Sequence, residues 1–88
     1  MTTRTWTVQV KLDEMGDDTT ADAVIGLDNK VEVRGHGRSR RNPADDADVR
    51  IGDELAAARA LSDLAHQLLA VAASDIESRT HVAAALDL

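Results

Sequence analysis

The chain predicts an α+β two-layer domain, a three-stranded antiparallel meander covered on its inner face by one long C-terminal helix. Three observations predict it. Apolar and polar residues alternate in three separate runs before residue 40, Asp28-Asn29 supplies a tight turn between the second and third run, and from Ile51 to Glu77 the apolar positions take up a helical period. Strands are expected at 5–12, 19–28 and 30–38, then a connector at 39–51, a helix at 52–78 and a tail at 79–88, all within a single domain 1–88.

In the first run Trp6, Val8, Val10 and Leu12 alternate with Thr5, Thr7, Gln9 and Lys11, the period of two of a strand with one face on a core. Residues 13–18, with Gly16 inside an acidic stretch, read as the turn that follows. The second strand turns Ala21, Ala23, Ile25 and Leu27 inward and Thr20, Asp22, Val24 and Gly26 outward. Val31, Val33 and Gly35 continue the inner face of the third, whose outer face is Glu32, Arg34, His36, Arg38 and Arg40. Gly35 and Gly37 are weak strand formers, which predicts a bulge or a close backbone contact at that point.

The connector holds Pro43 and the acids Asp45, Asp46 and Asp48. A helix start near Gly52 would place Asp53 and Glu54 in the first turn, against the positive end of the helix dipole. Ser74 to Glu77 matches the S-x-x-E capping box, so a kink or a short second helix is expected there. At about 100° per residue, Leu64, Leu68, Val71, Leu61, Ala72, Ala65, Ala58, Leu69, Ile51 and Leu55 fill an arc of roughly 200°, where about 100° suffices for a helix lying on one sheet. The helix should therefore touch two surfaces, with Leu55, Leu61, Leu64, Leu68, Leu69 and Val71 shared between the core and a second copy.

Composition points the same way. The chain has 88 residues, one aromatic (Trp6) and no cysteine, and its 43% apolar content is mostly Ala, Val and Leu. So thin a core, with no disulfide, predicts a homodimer that gains the missing burial from a second protomer. Either bare sheet edge offers a further route to self-association, and strand one carries only Lys11 to blunt it. No signal peptide or spanning segment is expected, which with the lack of cysteine suggests a cytoplasmic setting. The −6 charge lies wholly in residues 44–88, while residues 1–43 carry seven bases and seven acids. The helix side should repel polyanions.

Of the candidate sites, the sharpest is Arg34, His36, Arg38, Arg40 and Arg41. Their even-numbered members project from one side of a strand at about 7 Å intervals, a row that could track an RNA backbone. The plainer reading is a solvated face paired with Glu32, Asp22 and the loop acids. Gly35-His36-Gly37-Arg38 could form an anion nest, although a bulge is the simpler expectation. Asp45, Asp46, Asp48 and Asp53 lack the glycine and glutamate of a calcium loop, and His36, His66 and His81 sit on three different elements with no partner at i+3 or i+4 and no thiol in the chain, so no metal or cofactor is expected. Ser62 and His66 are neighbours on the helix, a pairing common by chance. No catalytic group is expected without an enclosed polar cavity. Arg59 and Asp63 read as an i, i+4 ion pair, and His81 as a base capping the last helical carbonyls. Val82 and Leu86 in the tail could dock on a partner.

The run Asn42-Pro43-Ala44-Asp45, Ile51-Gly52-Asp53-Glu54-Leu55-Ala56, Ala58-Arg59-Ala60-Leu61-Ser62-Asp63-Leu64-Ala65, Asp75-Ile76-Glu77 and Thr80-His81 resembles a family of small actinobacterial proteins of unknown function. The resemblance covers most of the chain, including the Trp6 strand. It implies a fold like that of double-stranded-RNA-binding domains and, because dormancy-linked members resemble ribosome hibernation-promoting factors as dimers, a stress-associated role at the ribosome. It supplies no catalytic or binding residues. One departure stands out: the helices of hibernation factors are basic, whereas Asp53, Glu54, Asp63, Asp75 and Glu77 make this one acidic. Contact with ribosome or RNA would then use the outer sheet face. The alternative function is a protein-interaction module whose acidic helix and loop, from Asp45 to Asp63, recognise a basic protein, with no nucleic acid and no small-molecule substrate.

Overall fold

The computed structural model describes residues 1–44, 48–81 and 83–87. Strands β1 (Val8–Met15), β2 (Asp18–Gly26) and β3 (Glu32–Arg40) form an antiparallel sheet in the order β1-β2-β3, and a single helix α1 (Val49–Thr80) packs across it. The two-layer α+β arrangement is the one the periodicity predicts.

Element boundaries differ from expectation where a local device outweighs pattern. β1 continues through Asp13, Glu14 and Met15, because Gly16 at φ +62° lets Gly16-Asp17 reverse the chain alone. Between β2 and β3 the positive φ falls on Lys30 (+65°) rather than on Asp28-Asn29, while Asn29 Oδ1 accepts the Val31 N–H at 3.1 Å. Helix α1 begins one turn earlier than expected. Asp48 is its N-cap, accepting the Arg50 N–H at 3.0 Å, a contact that contributes about 1 kcal/mol. Asp53 and Glu54 lie beyond that first turn. No kink or second helix forms at Ser74: α1 runs unbroken for 32 residues, because its i→i−4 ladder needs no new cap there. It ends at His81, whose left-handed backbone (φ 58°) donates its own N–H to Glu77 O at 2.7 Å, so the cap is backbone and not imidazole.

The core is as thin as composition suggests. Ala21, Ala23, Ile25, Val33, Ala56, Ala60 and Leu64 are its buried apolar residues, and only three of them exceed alanine in size. Thinness has a geometric cause. A Cβ on Gly35 would overlap Ala60 O and Leu64 N, and one on Gly37 would overlap Ala56 O and Ala60 N, so helix backbone lies directly on strand backbone. Two strand residues advance about 6.7 Å and four helical residues about 6 Å. Gly52, Ala56, Ala60 and Leu64 thus descend in step with Ser39, Gly37 and Gly35, and α1 runs antiparallel along β3. The expected irregularity at the glycines is a close contact and not a bulge, since both pair in register with β2, Gly35 with Ala23 and Gly37 with Ala21.

Over its first three turns the helix therefore presents small residues to the sheet, and large aliphatic ones join the core only from Leu64 onward. Leu64 is buried and Leu68 and Val71 pack on the core, while Leu69 is half-buried. Ile51, Leu55 and Leu61 remain 57%, 44% and 43% exposed. Ala56 and Ala60, absent from the expected apolar arc, are completely buried.

Candidate functional site

The outer sheet face carries the arginine row, and each of its bases meets an acid. Arg34 donates to Glu32 at 2.9 Å, His36 Nδ1 lies 2.9 Å from Asp22 Oδ1, and Arg38 and Arg40 approach Asp18 Oδ1 at 3.3 and 3.9 Å. The strand register explains this. Asp22 is the cross-strand partner of His36 and Asp18 of Arg40, so β2 sets carboxylates opposite the bases of β3. With Lys11 and Asp13 from β1, four fixed cations (Lys11, Arg34, Arg38, Arg40) share the face with four carboxylates (Asp13, Asp18, Asp22, Glu32). Arg34, His36, Arg38 and Arg40 keep 58–69% of their side-chain area exposed, so each pairing is worth only a few tenths of a kcal/mol. Arg41 stands apart from the row. Its N–H donates to Asp17 O at 2.8 Å and its guanidinium to Asp17 Oδ1 at 2.6 and 3.1 Å, which ties the end of β3 to the first turn.

Two helical side chains close the free edge of β3. Asp63 Oδ2 accepts the His36 backbone N–H at 2.7 Å, and Arg59 donates to Arg38 O at 2.7 Å. The expected i, i+4 ion pair gives way to these contacts because the helix lies close enough for both side chains to reach strand backbone. Asp63 is held below the ordinary aspartate range, first by the His36 N–H and then by Gln67.

The edge of β1 has no such cover. All eight of its residues are exposed, and Val8, Val10 and Leu12, which share the inner face with Ile25, Ala23 and Ala21, remain 38%, 37% and 41% accessible. Helix α1 sits over β3 and β2, and the small residues that draw it there leave the β1 side of the sheet as an apolar shelf. Trp6, just before β1, and Leu61 on the helix are exposed as well, at 50% and 43%.

The remaining candidates stay dispersed. His66 Nδ1 donates to the carbonyl oxygen of Ser62 at 2.7 Å, a contact that leaves the serine hydroxyl without a base. A depression of about 280 Å³ lies between the Gly16 turn and the start of α1, but Ser39 donates there to Gly52 O and Arg41 is committed to Asp17. Among the described residues no group of His, Asp or Glu is clustered as metal ligands would be. Asp45 and Asp46 of the calcium reading, and Val82 of the docking tail, lie outside the described residues. Among the described residues, no helix is long and apolar enough to cross a membrane.

Comparison with known proteins matches residues 4–85 to the Rv2632c-like family. The chain belongs to that family. Rv2632c-like relatives include the uncharacterized protein Rv2632c of Mycobacterium tuberculosis (strain ATCC 25618 / H37Rv), 46% identical over 78 residues, which cover 89% of this chain and 83% of the relative. Another is the uncharacterized protein Mb1767 of Mycobacterium bovis (strain ATCC BAA-935 / AF2122/97), 47% identical over 81 residues, or 92% of this chain and 85% of the relative. The crystal structure of Rv2632c superposes with a TM-score of 0.85 at 43% identity, covering 93% of this chain and 96% of that one. The β-β-β-α arrangement is thus a property of the Rv2632c-like family, found in a relative that differs at more than half of its aligned positions.

Proposed function

We propose that this Rv2632c-like protein is a non-enzymatic, self-associating interaction module, a homodimer whose second copy covers the apolar shelf of β1. The shelf itself carries this reading. A strand exposed along its whole length with Val8, Val10 and Leu12 on one side, beside a helix that turns Leu55 and Leu61 outward, is more apolar surface than a monomer of this size commonly leaves open. Light scattering at low micromolar concentration tests it: a particle of twice 9.4 kDa supports the reading, and a well-folded particle of 9.4 kDa defeats it. Leu12→Glu, on the exposed strand, shifts the dimer toward monomer while leaving the circular dichroism spectrum in place.

A second reading, contact with RNA or the ribosome through the outer face, is favoured by one observation. Arg34, His36, Arg38 and Arg40 all project from the same side with most of their surface in water. The same face holds an equal number of carboxylates as fixed cations, so the field that a polyanion meets there is weak. Co-sedimentation with ribosomal subunits across a salt series separates the two readings: the first expects none, and the second expects binding that falls steeply with salt and disappears in R34E/R38E/R40E.

A further inference from the structure

At the Gly16 end of the sheet, register sets three oxygen-bearing side chains in one row across the inner face: Glu14 on β1 is the cross-strand partner of Thr19, and Thr19 of Ser39. Thr19 and Ser39 are the buried polar residues among those described, 6% and 4% exposed. One step beyond them the Arg41 N–H donates to Asp17 O, so Thr19–Ser39 exchanges backbone hydrogen bonds and Glu14–Thr19 does not. A pair of the second kind holds its Cα atoms about 4.5 Å apart and its side chains close together. All three residues line the depression of about 280 Å³ at the start of α1, where Val49, Ile51 and Leu55 form an aliphatic wall. Gly52 leaves room above the hydroxyls, since a Cβ there would lie 3.2 Å from Thr19 Oγ1 and 3.7 Å from Ser39 Oγ.

The two hydroxyls are in different states. Ser39 donates to Gly52 O at 2.7 Å, which leaves its oxygen as an acceptor only. Thr19 Oγ1 has no hydrogen-bond partner among the described residues, and no fully enclosed side-chain oxygen lacks one, so this oxygen opens into the depression. Glu14 also has no partner among the described residues, whereas Asp17 is held by Arg41 and Asp48 caps the helix. The lining residues carry three carboxylates (Glu14, Asp17, Asp48) against two guanidiniums, and Arg40 turns its own to the other face, 3.9 Å from Asp18. We infer that this depression binds a primary alkylammonium group, its N–H donors shared between the Glu14 carboxylate and Thr19 Oγ1 and its chain lying on Ile51 and Leu55. A compact ammonium has the three donors such a floor can accept and a stem that suits the aliphatic wall. An anion would face Glu14 uncompensated, and a divalent cation would find one free carboxylate where it needs several oxygen ligands. The volume is below that of pockets enclosing a whole drug-sized molecule, which fits a side chain or a short alkylamine. The net charge of −6 favours a cation at longer range. None of these groups belongs to the shelf of Val8, Val10 and Leu12, so the site stands whether or not the chain self-associates.

Titration with n-butylammonium chloride at fixed ionic strength, followed by amide chemical shifts, tests the site. Saturable shifts at Glu14, Thr19, Ser39 and Gly52 with a Kd of about 1–10 mM are expected, the affinity of a few charge-assisted contacts on a small aliphatic patch. n-Butanol should bind at least about tenfold more weakly, and sodium butyrate should produce no saturable shift. Thr19→Val keeps the shape and removes the hydroxyl, while Glu14→Gln removes the charge at an exposed position where the fold does not depend on it. Each should weaken butylammonium binding at least about fivefold, and Thr19→Ser should retain it. Equal binding of butyrate, binding unchanged in both Thr19→Val and Glu14→Gln, or no saturation by about 100 mM butylammonium overturns the site and leaves Thr19 a hydrated hydroxyl. Two further probes assign the source of the ammonium. Tighter binding of N-acetyl-lysine N-methylamide than of 1,4-diaminobutane points to a lysine side chain of a partner protein, and the reverse order to a free diamine; either order upholds the ammonium pocket.

Discussion

β3 and β1 bound the same sheet and are finished in opposite ways. β3 lies under α1 with two glycines that admit helix backbone onto strand backbone, and its open edge is closed by Asp63 and Arg59. β1 has the better strand sequence, Val8-Gln9-Val10-Lys11-Leu12, yet it is exposed on both faces and along its edge. The lesson concerns packing density. Small residues bring two elements so close that nothing remains to cover the third, and the strand with the larger side chains is the one left without a partner.

The comparison breaks most severely at the glycines. Gly35→Val or Gly37→Val drives a side chain into helix backbone that cannot move aside, and a loss of about 3 kcal/mol or more is expected by urea denaturation. Val10→Thr on β1, a swap of similar size, should change monomer stability by less than about 1 kcal/mol. Leu64→Ala comes next: it removes the largest helical side chain of the core and should cost about 2–4 kcal/mol, whereas Leu61→Ala, three residues earlier and exposed, should cost under about 1 kcal/mol in the same experiment.

A third test concerns the edges. Removing Asp63 and Arg59 together (D63A/R59A) should give β3 an open edge like that of β1, and new oligomers larger than the parent should appear by light scattering. Asp63 alone should show in the acid limb of stability. Its carboxyl titrates lower folded than unfolded, so between the two values the unfolded chain binds more protons and stability rises with pH. The contribution is complete above the ordinary aspartate value of about 3.9 and is lost as pH falls through the lowered one. Asp63→Asn should therefore flatten the dependence of the urea midpoint on pH in that acidic window. The smallest effect belongs to the outer face: Arg38→Ala or Arg40→Ala should shift stability by no more than about 0.5 kcal/mol, because both pairings with Asp18 are solvent-exposed.

Much of the fold was legible because it depends on period. Alternation assigned Ala21, Ala23, Ile25 and Val33 to the inner face and Arg34, His36, Arg38 and Arg40 to the outer one, and the structure places them so. Pairing of that basic row with Asp22 and Glu32 was also readable from charge. Asp18 as the partner of Arg38 and Arg40 was not, because residues 13–18 read as a turn until the Gly16 reversal is known. The edge-closing roles of Asp63 and Arg59 were hidden for a similar reason. Two oppositely charged residues four apart on a helix look like each other's partners, and only the approach of β3 supplies backbone groups that bind both more favourably.

By itself the sequence determined the element order, the strand faces, the single long helix and the shortage of large core residues, since each follows from local spacing and side-chain size. Which stripe of the helix meets the sheet was decided only in three dimensions. Hydrophobicity favours the Leu55 and Leu61 side, but Gly35 and Gly37 lie some twenty residues away and bring the backbone of Ala56, Ala60 and Leu64 onto the strand instead. Dispersion and backbone fit act between elements at that short range, and no pattern within one element reports them.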